Sequence, residues 1–425
     1  MRKSPRICGE IVVPGDKSIS HRAVLLASLS DGASRVRGFL DAEDTTRTIV
    51  MMKSLGTKIE RVSRDELRIE GRGLRGLSEP EDVIDAGNSG TTIRIGAGLL
   101  AAQPFFTVVT GDSYLRRRPM ARVILPLSRM GASICGRDGD RFPPLCIRGK
   151  ALKGIRYEMP VASAQVKSAI LLAGLYADNP VTVVEPLPTR DHTERMLGAM
   201  GAVISGGGAE ITVSPASRLW PVDQVVPGDI SSAAFFLVLA AVTSDSELVL
   251  RGIGVNPSRI GVIEVLRRMG AEILFENGRI ESGEPVADIV VRGRDLVATS
   301  ILPEEIPALI DEVPVLCVAA AFASGRTEIR GAGELRVKES DRIRAMIANL
   351  SALGVLCGEY EDGLWVEGPS SFTDGAVCRS MGDHRIAMSM LVLQKAAGIE
   401  LLLDDTACID TSFPNFRSII ASLSA

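Results

Sequence analysis

The chain has 425 residues, 46% hydrophobic and 24% charged, with a mean hydropathy of +0.20 and a formal net charge of −4. That length exceeds one ordinary core and predicts two domains, and the composition fits a globular protein with well-filled interiors. The negative charge and 4% aromatic content argue against a nucleic-acid surface, no apolar run approaches the roughly 18 residues of a membrane span, and seven cysteines without C-x-x-C pairs, beside three histidines, argue against a disulfide framework or zinc site. Met1-Arg2-Lys3-Ser4-Pro5-Arg6 leads into no apolar signal core, so a reduced cytoplasm is the expected location.

In chain order, the first signal is a repeat. Val12-Val13-Pro14-Gly15-Asp16-Lys17-Ser18 recurs half a chain later as Val225-Val226-Pro227-Gly228-Asp229-Ile230-Ser231. Each copy leads into an apolar helical run, Ala23-Val24-Leu25-Leu26-Ala27 or Ala234-Phe235-Phe236-Leu237-Val238, so the halves share a plan. Only the first copy carries Lys17 and Arg22, which is where chemistry is expected. Six small-residue helices are predicted to begin near Asp16, Asn88, Ser163, Asp229, Asp311 and Asp383. Amphipathic helices follow most of them and stop at Leu55-Gly56, Met130-Gly131, Met200-Gly201, Met269-Gly270 and Leu353-Gly354. With the strands after each stop, the unit is strand, helix, strand, helix, hairpin, repeating at roughly 70 residues.

The sixth unit lacks closing strands, and Ile11-Val12-Val13 is available to complete it. The chain would then cross between halves at Pro14-Gly15 and Pro227-Gly228, where Pro and Gly fix a turn. The expected domains are 15–226 and 1–14 plus 227–425, with helices inside against sheet.

Lys17-Ser18-Ile19-Ser20-His21-Arg22 opens a helix after a strand and a Pro-Gly turn, with Asp16 as the expected cap. Unpaired first-turn amides, the positive dipole end, Lys17 and Arg22 make an anion pocket, although a solvated cationic helix face would look the same. Gly87-Asn88-Ser89-Gly90-Thr91-Thr92-Ile93-Arg94 repeats the device and could equally be a capped glycine turn. Arg116-Arg117-Arg118-Pro119 sets three positive charges before a helix start, against the dipole; a solvated loop is the simpler reading for Arg116 and Arg117. Ser163-Ala164-Gln165-Val166-Lys167 offers a hydroxyl, an amide and an amine. In Arg190-Asp191-His192-Thr193-Glu194, Asp191 or Thr193 could cap and Arg190 could pair with Glu194.

Asp311 heads a very apolar helix, as a cap or as a partly buried base. Lys338 and Arg342 are i,i+4 and repel on a helix unless an anion sits between them, with Glu339 alongside. Gly382-Asp383-His384-Arg385 adds another arginine. Each of these last two clusters alone reads as a surface charge run. Their recurrence at helix starts, in a chain of negative net charge, implies a cleft between domains for one or two polyanionic small molecules, with Asp311 and Glu339 available for proton transfer. The sequence has no Walker A, metal-ligand or Ser-His-Asp signature, so no metal or cofactor is expected.

Taken together, Gly15-Asp16-Lys17-Ser18 with Arg22, Gly87-Asn88-Ser89-Gly90-Thr91 with Arg94, Arg118-Pro119-Met120, Ser163 to Lys167, Arg190 to Glu194, Val337 to Arg342 and Asp383-His384-Arg385 resemble the 5-enolpyruvylshikimate-3-phosphate synthase family, nearly end to end. The resemblance implies a two-domain inverse α/β barrel, each domain built of three βαβαββ repeats with helices inside and sheets outside. It implies transfer of the enolpyruvyl group of phosphoenolpyruvate to the 5-hydroxyl of shikimate 3-phosphate, through a tetrahedral intermediate that loses phosphate, in chorismate biosynthesis. By carry-over, Lys17, Ser18, Arg22, Ser163, Ala164 (through its backbone), Gln165, Arg190, Asp311 and Lys338 bind shikimate 3-phosphate. Lys17, Gly90, Thr91, Arg94, Arg118, Gln165, Arg342 and Arg385 hold phosphoenolpyruvate. Asp311 is the implied base for the 5-hydroxyl and Glu339 the proton donor to C3, with Lys17 and Lys338 also catalytic. No cofactor is implied, and the family prior is a monomer.

The chain departs from many members at Thr411-Ser412-Phe413-Pro414, where they carry a lysine before Thr-Phe-Pro. The Ser-Ala-Gln-x-Lys, Arg-x-His-x-Glu and Asn256-Pro257-Ser258-Arg259 patterns resemble the glyphosate-tolerant subclass, while Gly90 leaves the space that an alanine fills in some tolerant members. Two alternatives remain open to test: a sister enzyme acting on UDP-N-acetylglucosamine, which resembles a Lys-Asn pair where this chain has Lys17-Ser18 and a reactive loop cysteine whose setting Cys135 lacks, and a non-catalytic phosphometabolite-binding protein.

Overall fold

Six helices too apolar to face water organise the chain: Lys17–Ser28, Gly90–Leu100, Ala164–Gly174, Ile230–Ala241, Val313–Phe322 and His384–Ala397. The computed structural model describes residues 6–423. In Val313–Phe322 every residue but Phe322 is buried, the expected fate of a helix that is hydrophobic all round. Five of the six starts carry a side-chain cap. Asp16 accepts from Ile19 N (2.9 Å), Ser89 from Thr92 N (3.2 Å), Ser163 from Val166 N (3.5 Å), Asp229 from Ser231 N (2.8 Å) and Asp383 from Arg385 N (2.9 Å). Val313–Phe322 has none: a 3-10 turn, Ile310–Glu312, and Pro314 lead into it, so the cap role open to Asp311 is not the one it takes.

The amphipathic helices Glu43–Ser54, Ala121–Arg129, His192–Ala199, Gly261–Arg268 and Arg342–Ala352 alternate with these. Each is followed by a glycine, Gly56, Gly131, Gly201, Gly270 or Gly354, with φ from 85° to 103°. The strands then form sheets of one recurring pattern. Gln224–Val225 pairs parallel with Ala33–Arg37, which pairs antiparallel with Glu66–Glu70, and that with Lys58–Arg61. The same order recurs in Ile84–Asp85, Phe106–Thr110, Phe142–Arg148 and Ser133–Gly136, and again in Arg156–Glu158, Val181–Val184, Glu210–Val213 and Ile204–Gly207. Ser300–Ile301, Gly325–Ile329, Gly363–Gly368 and Leu356–Tyr360 repeat it. Among the described residues the sixth unit keeps only its parallel pair, Ala376–Cys378 with Leu401–Leu403.

The N-terminal strand corrects one expectation. It runs Cys8–Ile11, not through Val13, and pairs parallel with Glu247–Gly254 (Cys8 opposite Glu247, Ile11 opposite Leu250). It thus completes the fourth unit, not the sixth. The reason lies in the repeat itself: each sheet begins with a parallel pair whose first strand precedes a crossing or a loop. The strand before Pro14 serves the sheet after Ile230–Ala241, and the strand before Pro227 serves the sheet after Lys17–Ser28. At the first crossing the turn is tight. A Cβ on Gly15 would stand 1.8 Å from the Gly38 carbonyl oxygen, so only glycine fits there.

The chain divides into two units. One is Gly15–Val226 with the turn Glu281–Glu284; the other is the segment ending at Pro14 with Pro227–Ile280 and the chain from Pro285 onward. We call them the central and flanking units, from their order in sequence. Each has its own apolar core, built from its three inner helices and the inward faces of its sheets. In the flanking unit Phe235, Phe236, Phe413 and Phe416 interlock, with ring centroids 5.4–6.0 Å apart, which fixes the segment after Thr411 to the Ile230–Ala241 helix.

Candidate active site

In the central unit three helix starts gather the cationic motifs. Lys17, at the first position of its helix, pairs with Asp44 in the first turn of Glu43–Ser54 (3.1 Å). Arg22, one turn on and buried, donates from Nη1 to Ser18 O (2.9 Å), from Nε to Thr193 Oγ1 (2.7 Å) and from Nη2 to Ser168 Oγ (2.7 Å). Arg190 Nη1 lies 3.4 Å from Ser18 Oγ. Lys17, Ser18, Arg22 and Arg190 are therefore brought together.

A second group forms at Gly90. Arg94 Nη1 donates to Gln165 Oε1 (2.8 Å), and Gln165 Nε2 donates to Thr91 Oγ1 (3.0 Å). Arg118 Nη2 donates to Asn88 Oδ1 (2.6 Å), whose amide in turn donates to Asp112 (2.9 Å). A Cβ built on Gly90 would lie 2.9 Å from Arg94 Nη1 and 3.1 Å from Arg118 Nη1, so both guanidinium groups close on that glycine. Ser163 and Ala164 stand at the next helix start, half-buried, two and one residues before Gln165. Arg116 and Arg117 are exposed, as a solvated loop requires, while Arg118 is buried.

Lys167 takes a different part. It is buried, with Nζ 2.8 Å from Glu185, 2.7 Å from Glu194 and 3.3 Å from Thr189 O, a closed ionic cluster. Glu194 therefore pairs with Lys167, and Asp191 pairs with Arg195 (2.8 Å) without capping its helix.

In the flanking unit the chemistry converges on Asp311. Its Oδ1 lies 3.4 Å from Lys338 Nζ and 3.4 Å from Arg342 Nη1. Arg342 also donates from Nη2 to Glu339 Oε2 (2.6 Å) and from Nε to Asp383 Oδ2 (2.7 Å). The anion that the Lys338–Arg342 spacing calls for is thus the Asp311 carboxylate. The two cations do not share a helix: Asp341 caps Arg342–Ala352 by accepting from Arg344 N (3.1 Å), so Lys338 stands before it. Burial weakens the charged form of Arg342, but the carboxylates of Asp383, Glu339 and Asp311 outweigh it and hold the guanidinium above its usual range. Burial likewise raises Asp383, yet Arg342 prevails and keeps it below the usual carboxylate value. Arg385 Nη1 donates to the Asp311 carbonyl (3.0 Å) and lies 3.6 Å from Glu312.

Several of these partners escaped the sequence reading. Glu312 is buried, accepts from the Ser231 hydroxyl and neighbours Arg385, but beside Asp311 no pattern separates the two acids. Asp44 looks like any first-turn acid, and Ser168 and Thr193 like ordinary helix hydroxyls. Thr411, in place of the family lysine, donates its hydroxyl to Cys408 O (2.7 Å). Among the described residues no cluster of three or more His, Cys, Asp or Glu could hold a metal ion, and no helix is long and apolar enough to cross a membrane.

Comparison with known proteins adds the family. The model of EPSP synthase (3-phosphoshikimate 1-carboxyvinyltransferase) matches residues 1–420. A 3-phosphoshikimate 1-carboxyvinyltransferase of Geobacter metallireducens is 53% identical over 425 residues, covering 100% of this chain and 99% of that protein. One from Geobacter sulfurreducens is 54% identical, covering 97% and 96%. The solved EPSP synthase of Acinetobacter baumannii superposes with a TM-score of 0.88 at 43% identity, over 99% of this chain and 96% of that one. The enolpyruvyl transferase NikO of Streptomyces tendae shares the fold, with a TM-score of 0.80 at 16% identity, over 99% and 96%.

Fold and comparisons together define an enolpyruvyl transferase. The chain belongs to the EPSP synthase family. It transfers the enolpyruvyl group of phosphoenolpyruvate to shikimate 3-phosphate, in aromatic amino-acid biosynthesis.

Proposed function

We propose that the transfer runs by addition and elimination, with the residues above in distinct roles. Lys17, Ser18, Arg22, Ser163, Ala164, Gln165, Arg190, Asp311 and Lys338 hold shikimate 3-phosphate. Lys17, Gly90, Thr91, Arg94, Arg118, Gln165, Arg342 and Arg385 hold phosphoenolpyruvate. Each substrate carries a phosphate and a carboxylate, about two to three negative charges near neutral pH, so the pair repels itself unless several cations share it. Arginine suits this because its fork matches both groups in two-point contacts.

The observation that carries the chemistry is the pair of carboxylates, Asp311 and Glu339, on one guanidinium, that of Arg342. Asp311 takes the proton of the 5-hydroxyl as its oxygen bonds to C2. Glu339 delivers a proton to C3, giving a tetrahedral ketal. The C2–O bond to phosphate then breaks, C3 returns a proton, and the enol ether and phosphate are released. Lys17 and Lys338 stabilise charge on the moving phosphate and on Asp311. Aligning the two substrates contributes up to ~7–11 kcal/mol of the barrier lowering. The enzyme acts as a monomer in the cytoplasm.

Phosphate release is the test. Release from phosphoenolpyruvate that requires shikimate 3-phosphate supports the reading. Release that requires UDP-N-acetylglucosamine would replace it with the sister reaction. Binding of shikimate 3-phosphate without release would leave a non-catalytic binding protein.

A further inference from the structure

We propose that His21, Thr48, Thr92 and Ser89 form a positioning chain that fixes the two anion-binding helix starts of the central unit against each other. His21 Nδ1 is 2.7 Å from Thr48 Oγ1, and Thr48 Oγ1 is 2.7 Å from Thr92 Oγ1. Thr92 Oγ1 donates to Ser89 Oγ (2.8 Å), which also accepts from Thr92 N and so caps the Gly90–Leu100 helix. All four side chains are buried. The chain runs from the helix of Lys17 and Arg22, through Glu43–Ser54, to the helix of Gly90 and Thr91. The middle helix grips the first two turns of Lys17–Ser28: Asp44 holds Lys17 and, four residues on, Thr48 holds His21.

The protons have one consistent order. Burial, with Lys17 and Arg22 close by, holds His21 well below its ordinary value despite Asp16, so the ring is neutral and carries one N–H. With that hydrogen on Nδ1, His21 donates to Thr48, Thr48 to Thr92 and Thr92 to Ser89, the terminal acceptor. Thr48 and Thr92 each accept and donate, so the bonds polarise one another. Apolar side chains of the same size would fill this space and leave the helices free to slide. Hydrogen bonds do not allow that, because they weaken outside a narrow range of distance and angle. None of the four is assigned to either substrate here, and misplacement of binding groups by about 1 Å can cost on the order of 10²-fold in rate.

This inference rests on the reading that the Lys17 and Gly90 helix starts bind the substrates. The test is Thr48→Val, close to the same shape but without the hydroxyl, beside Thr48→Ser, which restores it. Steady-state kinetics should show KM for both substrates raised about tenfold in Thr48→Val, with kcat within about threefold, and near-wild-type values in Thr48→Ser. Thr92→Val, which cuts the chain nearer Ser89 and guards against a failure of Thr48→Val to fold, should raise KM for phosphoenolpyruvate more than for shikimate 3-phosphate. Unchanged KM in a folded Thr48→Val, or equal damage from Thr48→Ser, would overturn the chain. Lys17→Met is run in parallel. If it too leaves both KM values unchanged, the binding reading itself has failed; if it weakens binding while the threonine variants do not, only the chain has.

Discussion

Replacing Lys167 with methionine should unfold the central unit far more readily while leaving its surface untouched. Lys167 is 1% exposed, and its Nζ sits 2.8 Å from Glu185 and 2.7 Å from Glu194, themselves 2% and 9% exposed. Glu185 also accepts from Thr189 N and Oγ1, so it cannot turn away without breaking that loop. Methionine keeps most of the volume and removes the only charge that the two carboxylates share in these contacts. Breaking a buried pair by deleting one partner costs about 3–5 kcal/mol, because the other is left charged and dry. At roughly 2–4 °C per kcal/mol for a unit of this size, Tm falls by about 6–20 °C. Glu194→Gln leaves one lysine with one carboxylate and should cost much less. The assay is thermal unfolding followed by circular dichroism, with KM for shikimate 3-phosphate measured below the transition. That KM should rise, since Thr193, next to Glu194, accepts from Arg22. A Tm loss under about 2 °C, or equal losses in the two variants, would show that volume and not charge balance holds this cluster.

Two further outcomes follow from local geometry. Gly90→Ala places a methyl 2.9 Å from Arg94 Nη1 and 3.1 Å from Arg118 Nη1; KM for phosphoenolpyruvate should rise about tenfold with that for shikimate 3-phosphate unchanged, and no change in either would remove Gly90 from the phosphoenolpyruvate site. Asp288 is pushed up by burial, but bonds from Asn277, Gly252 N and Arg251 prevail and lower it from 3.8 to about 2. Its folded form therefore binds fewer protons than the unfolded chain, and its contribution is present above the ordinary value and lost as pH falls toward 2. In urea unfolding, the stability gap between wild type and Asp288→Asn should be constant from pH 7 to about 5 and narrow below about 4; a gap independent of pH would contradict the assignment.

What the sequence disclosed was local. Caps such as Asp16 and Ser163 and helix stops such as Gly56 act within one turn, so they read directly from the chain. Strand pairing is not local. Nothing near Cys8 says that it lies opposite Glu247, and nothing in Ile11-Val12-Val13 marks Ile11 as the last residue of the strand. The charge clusters were visible, but their partners were not. Lys338 and Arg342 announced an anion by their spacing, yet that anion, Asp311, is supplied from another part of the chain. Lys167 offered only an amine in its motif; folding is what brings Glu185 and Glu194 against it.

The two Pro-Gly-Asp copies suggest how the labour is divided. At the flanking copy Ile230 stands where the central copy has Lys17, and it is 1% exposed. The polar groups there bond to one another: Arg259 donates to Ser231 Oγ (2.8 Å) and lies 3.3 Å from Asp229, while Ser231 donates to Glu312. In the central unit Arg22 donates to hydroxyl and carbonyl oxygens, which hold its guanidinium in place. In the flanking unit Arg342 is bonded to three carboxylates, two of them the proposed base and acid. An arrangement of the first kind suits capture of anions, and one of the second suits proton transfer. Kinetics should separate them. Arg22→Met should raise KM for shikimate 3-phosphate with a smaller loss in kcat. Asp311→Asn and Glu339→Gln should keep both KM values within a few-fold and lower kcat by ~10²–10⁴, the usual range for acid–base groups. If Asp311→Asn left kcat unchanged, or if Arg22→Met acted on kcat alone, the division would be wrong.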